Sequence, residues 1–410
     1  MIALPTARGW LILAMTFGAV SVALVNVGLA TALAASAFAA FWLASFVMAQ
    51  CSVYGIRVTR GGNGDGVCGS ELILPLTVTN RTILFRQATV LTELCEFAPG
   101  GVLHTAVPPL SPREALSIER AVKAEKRGCF DLNVVRLSGG DPAGLFRRTR
   151  TFRLPGEVVI YPHVVHLESI QLHPAGAHTP GTDGRPLGRS GQGQEFFGLR
   201  PYRPGDEIRF IHWRGTAAKQ RLMIREFEAN TVDQVVILLD TYAPLVGNDP
   251  RENNLEYLVS MASSLAAFLK DVSCRVLFLA ADGRTGELVR LFGDSAGLYP
   301  RLRRLLTVIE PGEISFTSLL QETAEEIPSG SLVYALCLNE DASSLELLEL
   351  LFDCNCRIHW FLAPKENFPP IQADEPRIVY ERRRRRELPP GAVRPRELFF
   401  STRMEEVLEK

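Results

Sequence analysis

The run Val235-Val236-Ile237-Leu238-Leu239-Asp240 decides how this chain is read. A strand with one wet face alternates polar and apolar residues. This run has no polar side until its terminal acid, as in a strand covered on both faces. Downstream, Glu252 to Lys270 carries a helical stripe of Leu255, Leu258, Val259, Ala262, Leu265, Phe268 and Leu269. The pattern then repeats. A strand is predicted over Cys274–Ala280, helices near 296–309 and 315–326, a strand over Leu332–Cys337, a helix over 341–353 and a strand over Arg357–Leu362. Apolar strands alternating with amphipathic helices predict a Rossmann-type α/β domain over 232–370, with a parallel sheet covered on both faces. In such sheets ligands bind at the carboxyl ends of strands, where Asp240 falls.

Upstream lies a block of different character, Glu195-Phe196-Phe197-Gly198-Leu199-Arg200-Pro201-Tyr202 through Ile211-His212-Trp213-Arg214 to Arg225-Glu226-Phe227-Glu228. It mixes aromatics, charges of both signs and turn residues, and fits neither a clean helix nor a clean strand. Buried charges must be paired, so the block reads as a partly buried ion-pair network that locks domains or forms a recognition surface. Before it, residues 174–194 are dominated by Gly and Pro and predict a loop. Together 161–231 form a linker and signature block.

Residues 51–160 predict an all-β sandwich. Glu71–Thr79 and Ala88–Leu94 are short and β-branched, with no helical stripe between them. Gly64, Gly66 and Gly69 spell a formal G-x-G-x-x-G. A strand-like run follows instead of the helix a dinucleotide site requires, so the glycines read as a turn. No phosphate-binding P-loop motif occurs anywhere in the chain.

Residues 9–49 contain no charged residue. As one helix at ~1.5 Å per residue they would be roughly 60 Å long, about twice the ~30 Å hydrocarbon core. Two spans over 1–50, turning near Asn26-Val27-Gly28, fit better. Arg8 precedes the first span, Arg57 and Arg60 follow the second, and the turn has no Lys or Arg. That asymmetry predicts a multi-pass inner-membrane protein with its soluble domains in the cytoplasm. The alternative, a cleaved signal peptide, needs an apolar region of about 7–15 residues.

A net charge of −1 over 410 residues argues against a general nucleic-acid binder. The eight cysteines are scattered, mostly in apolar runs, and read as free thiols. The tail, 371–410, is basic, with five arginines at Arg382–Arg386. A solvated tail or contact with anionic lipid headgroups accounts for it.

Several of these features converge on one family. Arg200-Pro201-Tyr202-x-Pro204-Gly205-Asp206-x-Ile208-Arg209-x-Ile211-His212-Trp213, with Arg225-Glu226-Phe227-Glu228, resembles the signature of the bacterial domain-of-unknown-function family 58. In that signature Asp or His precedes the Trp. Arg127-Gly128-Cys129-Phe130 and Asp141-Pro142-Ala143-Gly144-Leu145-Phe146 resemble its other motifs. The resemblance runs from about residue 120 to 240 and extends weakly over most of the chain.

The resemblance implies a membrane anchor, a von Willebrand A-like domain and a MoxR-type AAA+ ATPase as partner, with a transglutaminase-like membrane protein as a second. The implied fold is multidomain α+β, and no cofactor is implied. Arg200, Tyr202, Pro204, Gly205, Asp206, Arg209, His212, Trp213, Arg214, Arg225 and Glu226 would form an interaction or domain-locking surface. A von Willebrand A domain holds a divalent cation with Asp-x-Ser-x-Ser after its first strand, because hard cations take oxygen ligands. Here the run is Asp240-Thr241-Tyr242-Ala243-Pro244, in which Tyr and Pro replace the two serines. Asp240 is therefore expected to cap its loop.

Two bolder readings remain. A hydrolase could use His212 with a carboxylate such as Asp206 or Glu226. Cys354, Cys356 and His359 have the chemistry of zinc ligands, but only three are present and two begin a buried strand.

Overall fold

The computed structural model describes residues 2–25, 29–62, 64–170, 186–202, 211–230, 234–369 and 395–409. The chain divides into two compact units, 1–161 and 162–410.

The first unit opens with a short strand, β1 (Leu4–Pro5), and two helices, α1 (Ala7–Val25) and α2 (Leu29–Ser52). Both helices are long and apolar enough to cross a membrane. Large apolar side chains such as Trp10, Phe17, Leu29 and Leu43 are exposed along them. Trp42 and Phe46 pack edge-on against Phe146 of the β region, at 4.9 and 5.4 Å between ring centroids.

The β region follows as β2 (Ile56–Arg60), β3 (Gly66–Val67), β4 (Glu71–Asn80), β5 (Thr89–Leu94), β6 (Val102–Val107), β7 (Ala115–Lys123), β8 (Gly128–Asp131), β9 (Val134–Gly140), β10 (Phe146–Arg153) and β11 (Glu157–Tyr161). These form sheets ordered β1-β10-β9-β5-β6, β2-β4-β7 and β3-β11-β8. Alternating residues of β2, β4, β5 and β9, including Val58, Leu76, Val78, Leu91 and Leu137, face inward to one core. Of the three glycines Gly66 opens β3 and Gly69 lies in the turn before β4, so strands and not a helix follow them.

A charged cluster interrupts the apolar interior. Glu93 on β5 is 1% exposed and sits between Arg60 of β2 and Arg120 of β7. Arg60 Nη2 pairs with Glu93 Oε1. Arg120 Nη2 lies 2.7 Å from Oε2, close enough for an ion pair but without the angle of a hydrogen bond. Arg120 Nε donates to the Leu74 carbonyl at 3.1 Å, and Arg60 Nη2 to that of Leu132 at 3.2 Å. Cys95 nearby is pushed up to about 12, first by burial and then by the Glu93 charge, so its thiol is inert at neutral pH.

The second unit begins with a hairpin of β12 (Pro186–Pro201) and β13 (Met223–Asn230), with α3 (Trp213–Lys219) between them in sequence. A loop was expected to 194, yet the strand already runs from Pro186. Pairing along β13, from Pro186↔Asn230 to Pro201↔Met223 with three register shifts, satisfies the backbone whatever the side chains.

The sheet of this unit comprises β14 (Gln234–Leu239), β15 (Arg275–Asp282), β16 (Glu287–Asp294), β17 (Leu332–Cys337), β18 (Arg357–Leu362) and β19 (Arg396–Glu397). Its order is β16-β15-β14-β17-β18-β19. Five strands run parallel and β16 is antiparallel, so the sheet is mixed. β16 alternates exposed and half-buried residues, as an edge strand does, and lacks the apolar run that made its neighbours legible.

Helices α4 (Asn254–Leu269) and α5 (Ser295–Val308) pack on one face against Val235, Ile237, Leu239 and Phe278, and the terminal α8 (Met404–Leu408) joins that core. Helices α6 (Phe316–Thr323) and α7 (Ala342–Asp353) cover the other face, against Val236, Leu238, Val333 and Trp360. Every residue of Val235–Leu239 is 0% exposed, as a run apolar on both sides requires. Asn253 caps α4 by accepting the Glu256 amide at 2.8 Å, and Ser315 caps α6 by accepting that of Ser318 at 3.2 Å.

Candidate functional site

The signature residues sit on the β12–α3–β13 element. Tyr202 N donates to the Leu222 carbonyl at 2.9 Å and His212 N to that of Met223 at 2.8 Å, while Ile211 bridges Ile224. Both ends of the segment joining β12 to α3 are thus pinned to the start of β13.

His212 is the residue before the first turn of α3, and its Nδ1 accepts the Gly215 amide at 2.8 Å. This is a helix cap made by an imidazole. It fixes the neutral ring as the Nε2–H tautomer, with the Nδ1 lone pair already used. Gly215 lets the ring approach closely. A Cβ would lie 2.8 Å from His212 Nδ1 and 2.8 Å from Leu199 Cδ1. Thr216 closes the turn, its Oγ1 accepting the Met223 amide at 3.0 Å. Gln220 ends the helix in the left-handed conformation, with φ 50°.

Trp213, next to the cap, is 67% exposed, and Arg214 beside it is also exposed. Tyr202 is half-buried. Arg200, Arg225 and Glu226 lie on the hairpin, where Arg200 pairs with Ile224, Leu199 with Arg225 and Gly198 with Glu226. Pro204, Gly205, Asp206 and Arg209 lie outside the described residues, as does Arg382–Arg386. Asp206 and the side chain of Glu226, the carboxylates expected to approach His212, lie outside the described part of the structure.

Asp240 stands at the carboxyl end of β14, where the strand order reverses between β15 and β17. It is 2% exposed. Oδ1 accepts the Tyr242 amide at 3.0 Å and Oδ2 the Leu338 amide, just past β17, also at 3.0 Å. Burial pushes its pKa up to about 6, against the lowering effect of those two amides. The neighbouring loops are closed by backbone bonds. Gly312 N donates to Thr241 O at 2.8 Å, Ala243 N to Gly312 O at 2.7 Å, and a Cβ on Gly283 would lie 1.9 Å from Pro311 O.

A divalent cation does not fit Asp240 as it stands. Both oxygens are committed to amides, the carboxyl holds a proton more readily than usual, and Tyr242 and Pro244 occupy the positions where hydroxyl ligands would be needed.

Sequence reasoning missed a small polar cluster on the same edge of the sheet. Thr317 Oγ1 donates to Asp341 Oδ2 at 2.9 Å and lies 2.9 Å from Ser344 Oγ, tying the start of α6 to that of α7. Isolated hydroxyls in the first turn of a helix carry no periodic signal, so nothing in the sequence pointed to it.

The Cys354, Cys356 and His359 trio is dispersed. Cys354 is exposed. Cys356 Sγ donates to Pro328 O at 3.4 Å. His359 stacks on Tyr334 at 5.1 Å between centroids, and its pKa is lowered first by burial and then by Arg396. Among the described residues no group of three or more His, Cys, Asp or Glu is placed to hold a metal ion.

Residues 198–292 match the family model described as protein of unknown function DUF58. The chain is also similar to "Uncharacterized protein YeaD" of Bacillus subtilis (strain 168), at 26% identity over 117 residues. That match covers 28% of this chain and 29% of the relative, under a third of the relative's length. The family match begins within β12 and takes in the His212 cap, the β14 run and Asp240.

Proposed function

We propose that this protein is a membrane-anchored, cytoplasm-facing scaffold or adaptor that works with a MoxR-type AAA+ ATPase to assemble or regulate an envelope complex. One observation carries the proposal. The two residues best placed for chemistry, His212 and Asp240, both serve the fold, one as a helix cap and the other as a clamp on two backbone amides. What the signature element offers outward is Trp213 beside Arg214. Trp and Arg are the residue types enriched at the energetic centres of protein interfaces.

The doubly wound strand order, with helices on both faces and antiparallel β16 at its edge, supports a von Willebrand A-like domain that acts as a rigid platform. The paired apolar helices and the arginines flanking them support a multi-pass anchor with both ends in the cytoplasm. A transglutaminase-like membrane protein is the second partner in this proposal.

The full chain, purified in detergent, is used to capture the ATPase, and Asp206→Ala and His212→Ala are compared with wild type. The adaptor proposal expects capture to fall while the melting temperature stays within a few degrees. Undiminished capture together with loss of a measurable turnover would establish the hydrolase alternative. Titration with magnesium tests the adhesion-module alternative, and saturable heat abolished by Asp240→Ala would establish it.

A further inference from the structure

Four arginines converge on one groove of the first unit. Arg57, Arg81, Arg150 and Arg153 line a cavity of about 460 Å3, with Phe152 in its wall and, among the described residues, no acidic side chain. Among the described residues none of the four belongs to an ion pair. The groove runs between two sheet edges. β2 borders one sheet, and β10 borders the other beyond Arg147, where its pairing with β1 stops. Arg150 spans the gap. Its Nη1 donates to Ile56 O at 3.0 Å and its guanidinium lies 4.8 Å over the Phe152 ring.

The place of this groove in the unit is informative. Helix α2 ends at Ser52, and the groove begins at Gly55. Three residues reach at most ~10 Å. The end of α2 is fastened to the β region, because Arg86 Nη1 donates to Cys51 O at 2.6 Å and Arg148 to Gln50 O.

A second, independent feature adjoins it. The loop after β4 carries Ile83, Leu84 and Phe85 at 73%, 57% and 59% exposure. The Arg81 amide at the base of that loop donates to Gly55 O at 3.0 Å. Tyr54, 64% exposed, stands at the same helix exit. An apolar finger, an interfacial Tyr and a ring of arginines at the end of an apolar helix together match the composition of a bilayer boundary. Charges that merely blunt sheet edges against strand addition require neither the finger nor a concave site.

We propose that this groove binds the headgroup of an anionic phospholipid. The phosphodiester sits among Arg57, Arg81, Arg150 and Arg153, and the Ile83–Phe85 finger enters the acyl boundary. Guanidinium forks suit phosphate oxygens geometrically, and the volume suits a headgroup. The inference rests on the reading of α1 and α2 as membrane spans.

The test uses the purified full chain in a neutral detergent. Four probes are added, dihexanoyl phosphatidylglycerol and dihexanoyl phosphatidylcholine below their micellar concentrations, inorganic phosphate and a short poly-glutamate peptide, and adducts are read by native mass spectrometry. The glycerol lipid is expected to bind saturably, the choline lipid at least tenfold more weakly. The quadruple variant Arg57→Gln, Arg81→Gln, Arg150→Gln and Arg153→Gln is expected to weaken the glycerol lipid at least tenfold. Should that variant fail to fold, the triple variant that keeps Arg150 preserves the bond to Ile56 and is expected to show the same loss.

Equal binding of the two lipids, or binding indifferent to the triple variant, overturns the proposal. Displacement by an equal concentration of inorganic phosphate overturns the lipid assignment in favour of a free-phosphate site. Tighter binding of a short poly-glutamate peptide overturns it in favour of an acidic peptide. Alkaline carbonate extraction of cell membranes tests the spans separately, because the soluble probes report on the groove without any bilayer.

Discussion

The two units face the same problem, a buried carboxylate, and solve it with different partners. In the β unit Glu93 of β5 is held by two guanidinium groups from β2 and β7, strands of another sheet. In the sheet unit Asp240 is held by two backbone amides at the ends of β14 and β17. A sandwich that fills its interior from alternating residues can bring long arginines across the core. A sheet of fully apolar strands has no room for them, and its acid is confined to the strand end where free amides are available. The first solution depends on the charge of its partners, the second on backbone geometry, and substitutions separate the two.

The largest effect is expected at Glu93. Glu93→Gln leaves Arg60 and Arg120 buried without a counter-charge, at a cost of about 3–5 kcal/mol. Chemical denaturation of the full chain in detergent reads this as a lower unfolding midpoint for the first unit. Replacing all three residues with Met or Leu of similar volume should recover most of the loss, because it removes the desolvation penalty with the charges. A triple variant as unstable as Glu93→Gln would show that the sandwich needs the triad for its shape.

Asp240 comes next. Asp240→Ala leaves the amides of Tyr242 and Leu338 without their acceptor, costing on the order of 2–4 kcal/mol. Its pH signature is distinctive. Burial holds the folded pKa at about 6, against 3.8 for a free aspartate. The native state therefore keeps this proton between those pH values and the unfolded chain does not. The stabilisation is complete below pH about 4 and lost as pH rises through about 6, by up to ~3 kcal/mol for a shift of about two units. Wild type minus Asp240→Ala, measured across pH 4–7, should fall by that order. A flat difference would mean that the two amides offset the cost of burial.

The same contrast explains what could be read in advance. Val235–Leu239, the α4 stripe and the strands at 275, 332 and 357 were legible because burial on both faces leaves an unbroken apolar run. β16 was not, because an edge strand alternates and resembles an exposed turn region. The strand beginning at Pro186 was hidden by its glycines and prolines, since backbone pairing leaves no side-chain signature. At the candidate site, sequence placed Asp240 at the sheet edge and found the His212 block. It anticipated Asp240 as a loop cap, but it could not reveal the second amide, from Leu338, or the imidazole cap of α3, which are facts of three-dimensional contact.

His212 tests the cap. His212→Ala should cost about 1 kcal/mol, and His212→Asn should recover most of it by presenting an oxygen to the Gly215 amide. Local amide exchange over 213–219 reads the difference more directly than global melting does. An Asn variant no better protected than Ala would show that the ring is needed for something besides the cap.

The smallest effect on stability and the clearest on binding are expected at Trp213. Its side chain is mostly in solvent, so Trp213→Ala should change stability by no more than about 0.5 kcal/mol. A central interface tryptophan, by contrast, costs 2 kcal/mol or more of affinity when truncated, roughly thirtyfold. If the proposed ATPase is the partner, its capture by the full chain should therefore fall by about that factor while the melting curve stays in place. His212→Asn, which restores the cap and leaves Trp213 untouched, should retain capture. Because the two residues are adjacent, the pair separates a helix that must merely be intact from a surface that must be touched. Equal capture by both variants would remove Trp213 from the interface and leave the signature element a structural role alone.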